Sequence, residues 1–394
     1  MPSVFLKKNK ERRLYAGHSW VYSSDIERIT GDPNPKNGDA VDIRDHKDRF
    51  FGRGLLNTKS QITVRRFTTQ KEELDRAFFT RRIEEALAYR REDTSIADTE
   101  AFRVVSSEGD QLPGLIVDQY GDNLVIQALT LGIDQRKGQI VEILRELLEP
   151  RAIIERSDVP SRKLEGLEET KGVLFGETGA IVRAQFAGFS IEVNLLEDQK
   201  TGFFLDQRDN YAEVARLCAG KRVLDCFTYH GGFALAAAMA SAKSVECVEI
   251  SDTAIARARK NAELNGLTGK IEFVCANAFD VLKKYDSDKR QYDVIVLDPP
   301  TFTRTRENVE GALRGYKEIN LRALKMLPPG GILATFTCSH HIDAELFKSV
   351  VVEAAADAKK TVRLVKVLTQ SPDHPILPAI PETEYLRGLL LEVM

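Results

Sequence analysis

From about residue 190 onward, short apolar runs alternate with amphipathic stretches. RVLDCF (222–227), SVECVEI (244–250), IEFVCA (271–276), YDVIVLD (292–298) and GILATFT (331–337) read as strands. A helical pattern opens at Gly232 and another runs from Ser251 to Asn265-Gly266. Apolar strands that alternate with helices are covered on both faces, which is the pattern of an open parallel α/β sheet. Ligands of such sheets sit beyond the C-terminal ends of the strands, at the topological switch point. The strand ends are therefore where the chemistry is to be sought.

The first strand ends at Asp225 and the second at Glu249, 24 residues later. Asn277-Ala278-Phe279 follow the third strand, and Asp298-Pro299-Pro300 close the fourth. Gly231-Gly232 let a ligand approach the backbone, where a helix N-terminus offers free N–H groups. A carboxylate at position 249 can accept from both hydroxyls of a ribose, and Asn277 with Phe279 suits an adenine edge. A dinucleotide site would read GxGxxG. Residues 225–233 instead read DCFTYHGGF, which better matches a cationic, phosphate-free ligand such as S-adenosylmethionine (SAM). For Asp225 alone a capped turn explains as much. The four strand ends together favour the nucleoside.

Residues 1–70 are patterned differently. Val41 and Ile43, then Ile62 and Val64, alternate with polar residues between turn signals, as in a small β-rich domain. This segment has 14 Lys and Arg against 8 Asp and Glu, a charge of +6, while the rest has 42 against 51, or −9. The formal net charge of −3 thus hides a basic module on an acidic body, which points to a polyanionic partner. Lys7, Lys8, Lys10, Arg12 and Arg13 are the candidate phosphate contacts, though a run this short is commonly just a solvated face. Residues 71–188 form a middle section, with a helix expected over 71–92, strands near 101–107, 114–120 and 123–129, and a helix over 138–148. Residues 189–394 carry the α/β pattern. No run approaches twenty apolar residues and no leader-like block opens the chain, so a cytoplasmic setting with no membrane partner is expected.

DCFTYHGGF, VEIS, NAF, VLDPPTF and FTCSHH, in this order and spacing, resemble the ribosomal RNA large subunit methyltransferase I family. Those enzymes use SAM to make 5-methylcytosine in large-subunit rRNA, and the resemblance covers nearly the whole chain. It implies a Rossmann-like class I SAM methyltransferase sheet over 189–394, an N-terminal PUA RNA-binding domain over 1–70 and an α+β middle domain over 71–188. It implies SAM held by Asp225, Phe227, Thr228, Tyr229, Gly231, Gly232, Glu249, Asn277, Phe279 and Asp298. Phe204, Asp206, Gln207 and Arg208, from QKTGFFLDQRDN, would close over it, and Lys200 would contact cofactor or RNA. The implied partner is large-subunit rRNA or an assembly intermediate, with a homodimer left open. His230 departs from the family pattern, which carries a small polar residue there.

Methylation of cytosine C5 calls for a thiolate that adds to C6, a group that holds the N3/N4 edge, and a nearby sulfonium. Cys338 ends the fifth strand in FTCSHH, on the same sheet edge as Asp298, and is the expected nucleophile. Its polar successors Ser339-His340-His341 suit a reactive thiol. Cys218, Cys226, Cys247 and Cys275 read as small buried hydrophobes, and none of the five forms a CxxC, so neither a disulfide framework nor a metal is expected. Asp298 would bond the base edge, Pro299-Pro300 would lock the loop beside it, and Arg304 would add an RNA contact. No general base is assigned to His340 or His341. Two rival readings stay open: methylation of another atom (a purine N7 or an amino group), and a non-catalytic RNA-binding assembly factor.

Overall fold

The computed structural model describes residues 1–93, 96, 99–179, 181–303 and 305–394. They form two compact units, Met1–Val182 with Asn194–Phe203 and Pro372–Thr383, and Arg183–Val193 with Phe204–Ser371 and Glu384–Met394. The Pro-rich stretch before the last strand thus belongs to the first unit.

The first unit holds two sheets. The six-stranded one runs in the order Trp20–Tyr22, Ile62–Thr68, Phe50–Leu56, Ala40–Arg44, Ser3–Leu6, Ile26–Thr30. The alternation of Val41, Ile43 and Val64 points one face inward, where they bury with Val4, Leu6 and Val21. The five-stranded sheet contains Ala101–Ser106, Leu115–Tyr120, Asn123–Ala128, Ala152–Ser157 and Thr170–Gly176. Helices Arg76–Glu92 and Lys137–Leu148 pack on it, and their shared core takes in Leu55 and Phe67 of the six-stranded sheet. That cluster makes residues 1–70 and the middle section one body. The helix expected over 71–92 starts only at Arg76, because the Asp75 side chain caps it by accepting from Phe78 N–H at 3.0 Å.

In the second unit we number β1 (Arg222–Cys226), α1 (Gly232–Met239), β2 (Ser244–Glu249), α2 (Asp252–Leu264), β3 (Ile271–Cys275), α3 (Ala278–Ser287), β4 (Val294–Leu297), α4 (Val309–Met326), β5 (Ile332–Thr337), α5 (Ala344–Asp357), β6 (Val362–Thr369) and β7 (Arg387–Val393). The sheet order is β3-β2-β1-β4-β5-β7-β6. β1 to β5 pair in parallel, and β7 is antiparallel to both β5 and β6. The order reverses between β1 and β4, so the crevice for a ligand opens beyond their C-terminal ends. A core of β1, β4 and β5 residues with α3, α4 and α5, including Leu224, Ile295, Leu333, Tyr316 and Phe347, holds these ends in place. Among the described residues, no helix is long and apolar enough to cross a membrane.

Candidate active site

β1 delivers Asp225, fully buried, to the switch point. Its Oδ2 accepts from the Thr228 hydroxyl and, at 3.0 Å, from Ala234 N–H, while Oδ1 is buried with no hydrogen-bond partner. Burial pushes this carboxyl up to about 7, and the nearby charges of Asp298 and Glu249 push the same way. The chain then turns through left-handed Phe227 and Tyr229, at φ 64° and 52°, to Gly231 at φ 90°. Tyr229 N–H donates to Glu249 Oε2 at 3.0 Å, and Ile250 and Ser251 N–H donate to Oε1, so backbone donors fix the carboxylate that ends β2. At Gly232 a Cβ would lie 2.4 Å from the Tyr211 ring, so this position has no room for a side chain. An unpartnered buried acceptor ringed by carboxylates suits a cation and repels a phosphate. The residues present therefore fit SAM.

Other expected cofactor residues divide into two groups. Phe204 lies edge-on to Tyr229 at 4.7 Å, and Phe279 lies 6.3 Å from Phe227. Gln207 donates to Asp298 Oδ2 at 2.9 Å and is itself held by Asn210, whose amide donates to Gln207 Oε1 at 2.6 Å. By contrast, Asp206 accepts from the Tyr385 hydroxyl at 2.9 Å, and its carbonyl accepts from Ser371 N–H. Arg208 is buried and pairs with Asp209. Asn277 caps α3 by accepting from Phe279 N–H. Buried His230 stacks on Tyr229 at 3.6 Å between ring centroids, and burial pushes it down to about 3, so it is neutral.

The thiol of Cys338, half-buried just beyond β5, lies 3.2 Å from Thr301 Oγ1 and 4.0 Å from the Pro299 carbonyl oxygen. The loop after β4 and the end of β5 are thus brought together, with Pro299 buried and Pro300 exposed. Beneath them, the fully buried Tyr316 accepts from the Thr337 hydroxyl at 2.8 Å and shares a 3.0 Å hydrogen bond with Ser339, tying down the residues on both sides of Cys338. Phe302 packs on Tyr316 at 4.5 Å. Tyr211, Asn210 and Tyr316 carry no signal of their own in the local sequence. Thr301 has one, its hydroxyl directly after the two prolines.

Cys218, Cys226 and Cys247 are buried, as expected. Cys275 is not: it ends the edge strand β3, is exposed, and lies 3.0 Å from Asp252 Oδ1. Its apolar sequence run concealed that position.

In the first unit Lys7, Lys8, Lys10, Arg12 and Arg13 are all exposed. Lys10 pairs with Asp25, Lys7 donates to the Ser24 carbonyl, and the Arg13 guanidinium lies 4.7 Å over the Tyr22 ring. Lys200 also belongs to this unit and is exposed. Arg304 lies outside the described residues. Glu11, Asp45 and His46 bring potential ligand atoms within 4.8 Å of one another. Asp45, however, already accepts from the Arg49 guanidinium and from Lys47 and Arg49 N–H. No metal site is built from them.

A PUA-like domain model matches residues 4–69, and an S-adenosylmethionine-dependent methyltransferase model matches residues 172–391. A protein of Shewanella denitrificans named ribosomal RNA large subunit methyltransferase I is 44% identical over 393 residues, covering 99% of both chains. A protein of the same name from Aeromonas hydrophila is 42% identical over 99% of this chain and 98% of its own. The chain belongs to the ribosomal RNA large subunit methyltransferase I family. The fold of this family member is shared with a candidate methyltransferase solved in complex with SAH, at TM-score 0.86 and 22% identity over 100% of both chains. As a SAM-dependent methyltransferase of the large subunit methyltransferase I family, it joins a Rossmann-like sheet to an N-terminal PUA-like domain.

Proposed function

We propose that this cytoplasmic enzyme methylates C5 of a cytosine in large-subunit rRNA through an adduct on Cys338. The work is divided among residues 1–70 as RNA reader, 71–188 as connecting domain and 189–394 as catalyst. The observation that carries the reading is the Cys338 thiol lying against the Asp298-Pro299-Pro300-Thr301 loop, 3.2 Å from Thr301 Oγ1. Methylation of a purine nitrogen or an amino group would leave that thiol idle. The relatives' printed name supports rRNA as the substrate.

The target cytosine must leave its stack to meet the sheet edge, and the exposed cations of residues 1–70 would hold the RNA while it does so. Asp298, steadied by Gln207, accepts from the N4 amino group and sets the ring over the thiol. Cys338 Sγ, as thiolate, then adds to C6, forming the S–C6 bond and making C5 an enamine carbon. SAM, when bound, supplies an electrophilic methyl group on a sulfonium. Once C5 has taken that methyl group, with the C5–CH3 bond formed and the methyl–sulfonium bond broken, a base would take the C5 proton, the C5–C6 double bond re-form, and the S–C6 bond break to return the thiolate. Asp225 Oδ1 and Glu249 would hold the cation and the ribose, with Phe227, Thr228, Tyr229, Gly231 and Gly232 forming the turn around them. Phe204 and Phe279 would cover the nucleoside.

Mass spectrometry of nucleosides from rRNA methylated by the purified enzyme tests this. It should yield 5-methylcytidine; a methylated purine, N4-methylcytidine or an unmodified digest would overturn it.

A further inference from the structure

Between the six-stranded sheet and the middle section of the first unit lies a cavity of about 610 Å³. That is within the common range of ligand pockets, which are ~300–1,000 Å³. Its lining includes Tyr22, Lys59, Arg65, Glu108, Lys163 and Glu165. The two carboxylates are already engaged. Glu165 is buried and accepts from Arg65 at 2.8 Å and from Asn57 at 2.9 Å, while Glu108 accepts from the Trp20 indole N–H at 2.8 Å. Arg65 thus offsets the Glu165 charge and Glu108 is held by neutral donors, while two exposed lysines stand at the wall, Lys59 from the six-stranded sheet's side and Lys163 from the middle section. Lys163 is held by Glu169, an exposed pair that a phosphate can displace. Exposed Leu164 stands beside them, with a relative accessibility of 73%.

Tyr22 joins this cavity to the basic run. Arg13 of that run lies over its ring, and Trp20 meets it edge-on at 6.3 Å. Aromatic rings beside cations, over a floor of fixed donors and acceptors, suit a base with its phosphates. They do not suit a duplex, whose bases are stacked away. We propose that this cavity seats one unpaired RNA nucleotide that the protein reads without modifying, its base on Tyr22 and its phosphates at Lys59 and Lys163. The proposal rests on the rRNA reading above and adds a recognition subsite to it.

Binding of the full-length protein to a large-subunit rRNA fragment, measured across salt concentrations alongside SAM binding, tests it. Tyr22→Ala should weaken RNA binding roughly tenfold, the loss of one base–aromatic stack, while Tyr22→Phe retains it. Lys59→Gln with Lys163→Gln should reduce the salt slope by about 1 to 2. SAM affinity and the thermal midpoint of the lysine double variant should match the wild type, which shows that the variant is folded. If wild-type protein binds the fragment and both sets of variants bind it as tightly, with the same salt slope, the subsite is absent. If wild-type protein neither binds nor methylates rRNA, the rRNA reading itself fails instead.

Discussion

The Thr301 hydroxyl oxygen lies 3.2 Å from the Cys338 sulfur, across the gap between the β4 loop and the end of β5. These residues are 37 positions apart in sequence, yet the hydroxyl is poised to donate to a thiolate. A donor there favours the charged form of sulfur, which is the form that attacks.

Thr301→Val should therefore lower the methylation rate by about 10- to 100-fold, the effect of one hydrogen bond to a charged group. The rising limb of its pH–rate profile should move to higher pH, and Thr301→Ser should restore both. A purely structural role for Thr301 would leave the position of that limb unchanged.

Gln207 steadies Asp298, and Asn210 steadies Gln207. Gln207→Leu should cost about tenfold in kcat, as an orienting hydrogen bond is lost from the group that sets the base. Asn210→Ala should give a smaller loss in the same direction. Unchanged steady-state rates in both variants would remove Gln207 from the positioning of Asp298.

Asp225 keeps its proton in the ligand-free native state up to about pH 7, because burial disfavours its charge. The unfolded chain releases that proton near the ordinary carboxyl value, about 4. Between these values the native state binds more protons, so this group's contribution to stability falls as pH rises. The destabilisation is absent at low pH and complete above about 7. Asp225→Asn should flatten the decline of the thermal midpoint over this window. In the wild type, SAM should bind more tightly as pH rises through it, since the ionised carboxylate faces a cation; Asp225→Asn should weaken binding and flatten that dependence. Calorimetric titration across pH reads both effects.

Gly232→Ala should destabilise the protein by about 1–3 kcal/mol, because the added methyl would meet the Tyr211 ring. Thermal unfolding measures the loss. Ser251→Ala, by comparison, should cost about 1 kcal/mol, since its side chain caps α2 through Ala254 N–H and otherwise meets the exposed Thr253 hydroxyl at 2.9 Å.

The strand ends were legible because a parallel sheet converts a linear pattern into one chemical edge. Asp225, Glu249, Asp298 and Cys338 each follow an apolar run, and each stands at that edge. What escaped the sequence depended on partners far along the chain. The Asp206 carboxylate accepts from Tyr385, 179 residues away, a partner that the motif around Asp206 does not announce. Cys275 sits in an apolar run, but β3 is an edge strand and its end is open to solvent. The division into units was also hidden. Asn194–Phe203 and Pro372–Thr383 join the first unit through long-range packing, with Arg90 inside that unit donating to the Asp373 carbonyl. Local pattern carries no trace of such a contact.

The most direct test of the account replaces cytosine with 5-fluorocytosine in a large-subunit rRNA fragment. Fluorine at C5 cannot leave as a proton does, so the S–C6 bond should persist. Wild-type enzyme with SAM should give an RNA–protein adduct that survives denaturing electrophoresis, with Cys338 as the modified residue in its peptide digest. Cys338→Ala should bind SAM normally and form no adduct. An adduct that persists in Cys338→Ala, or methylation of unmodified rRNA by that variant at the wild-type rate, would contradict the thiol mechanism.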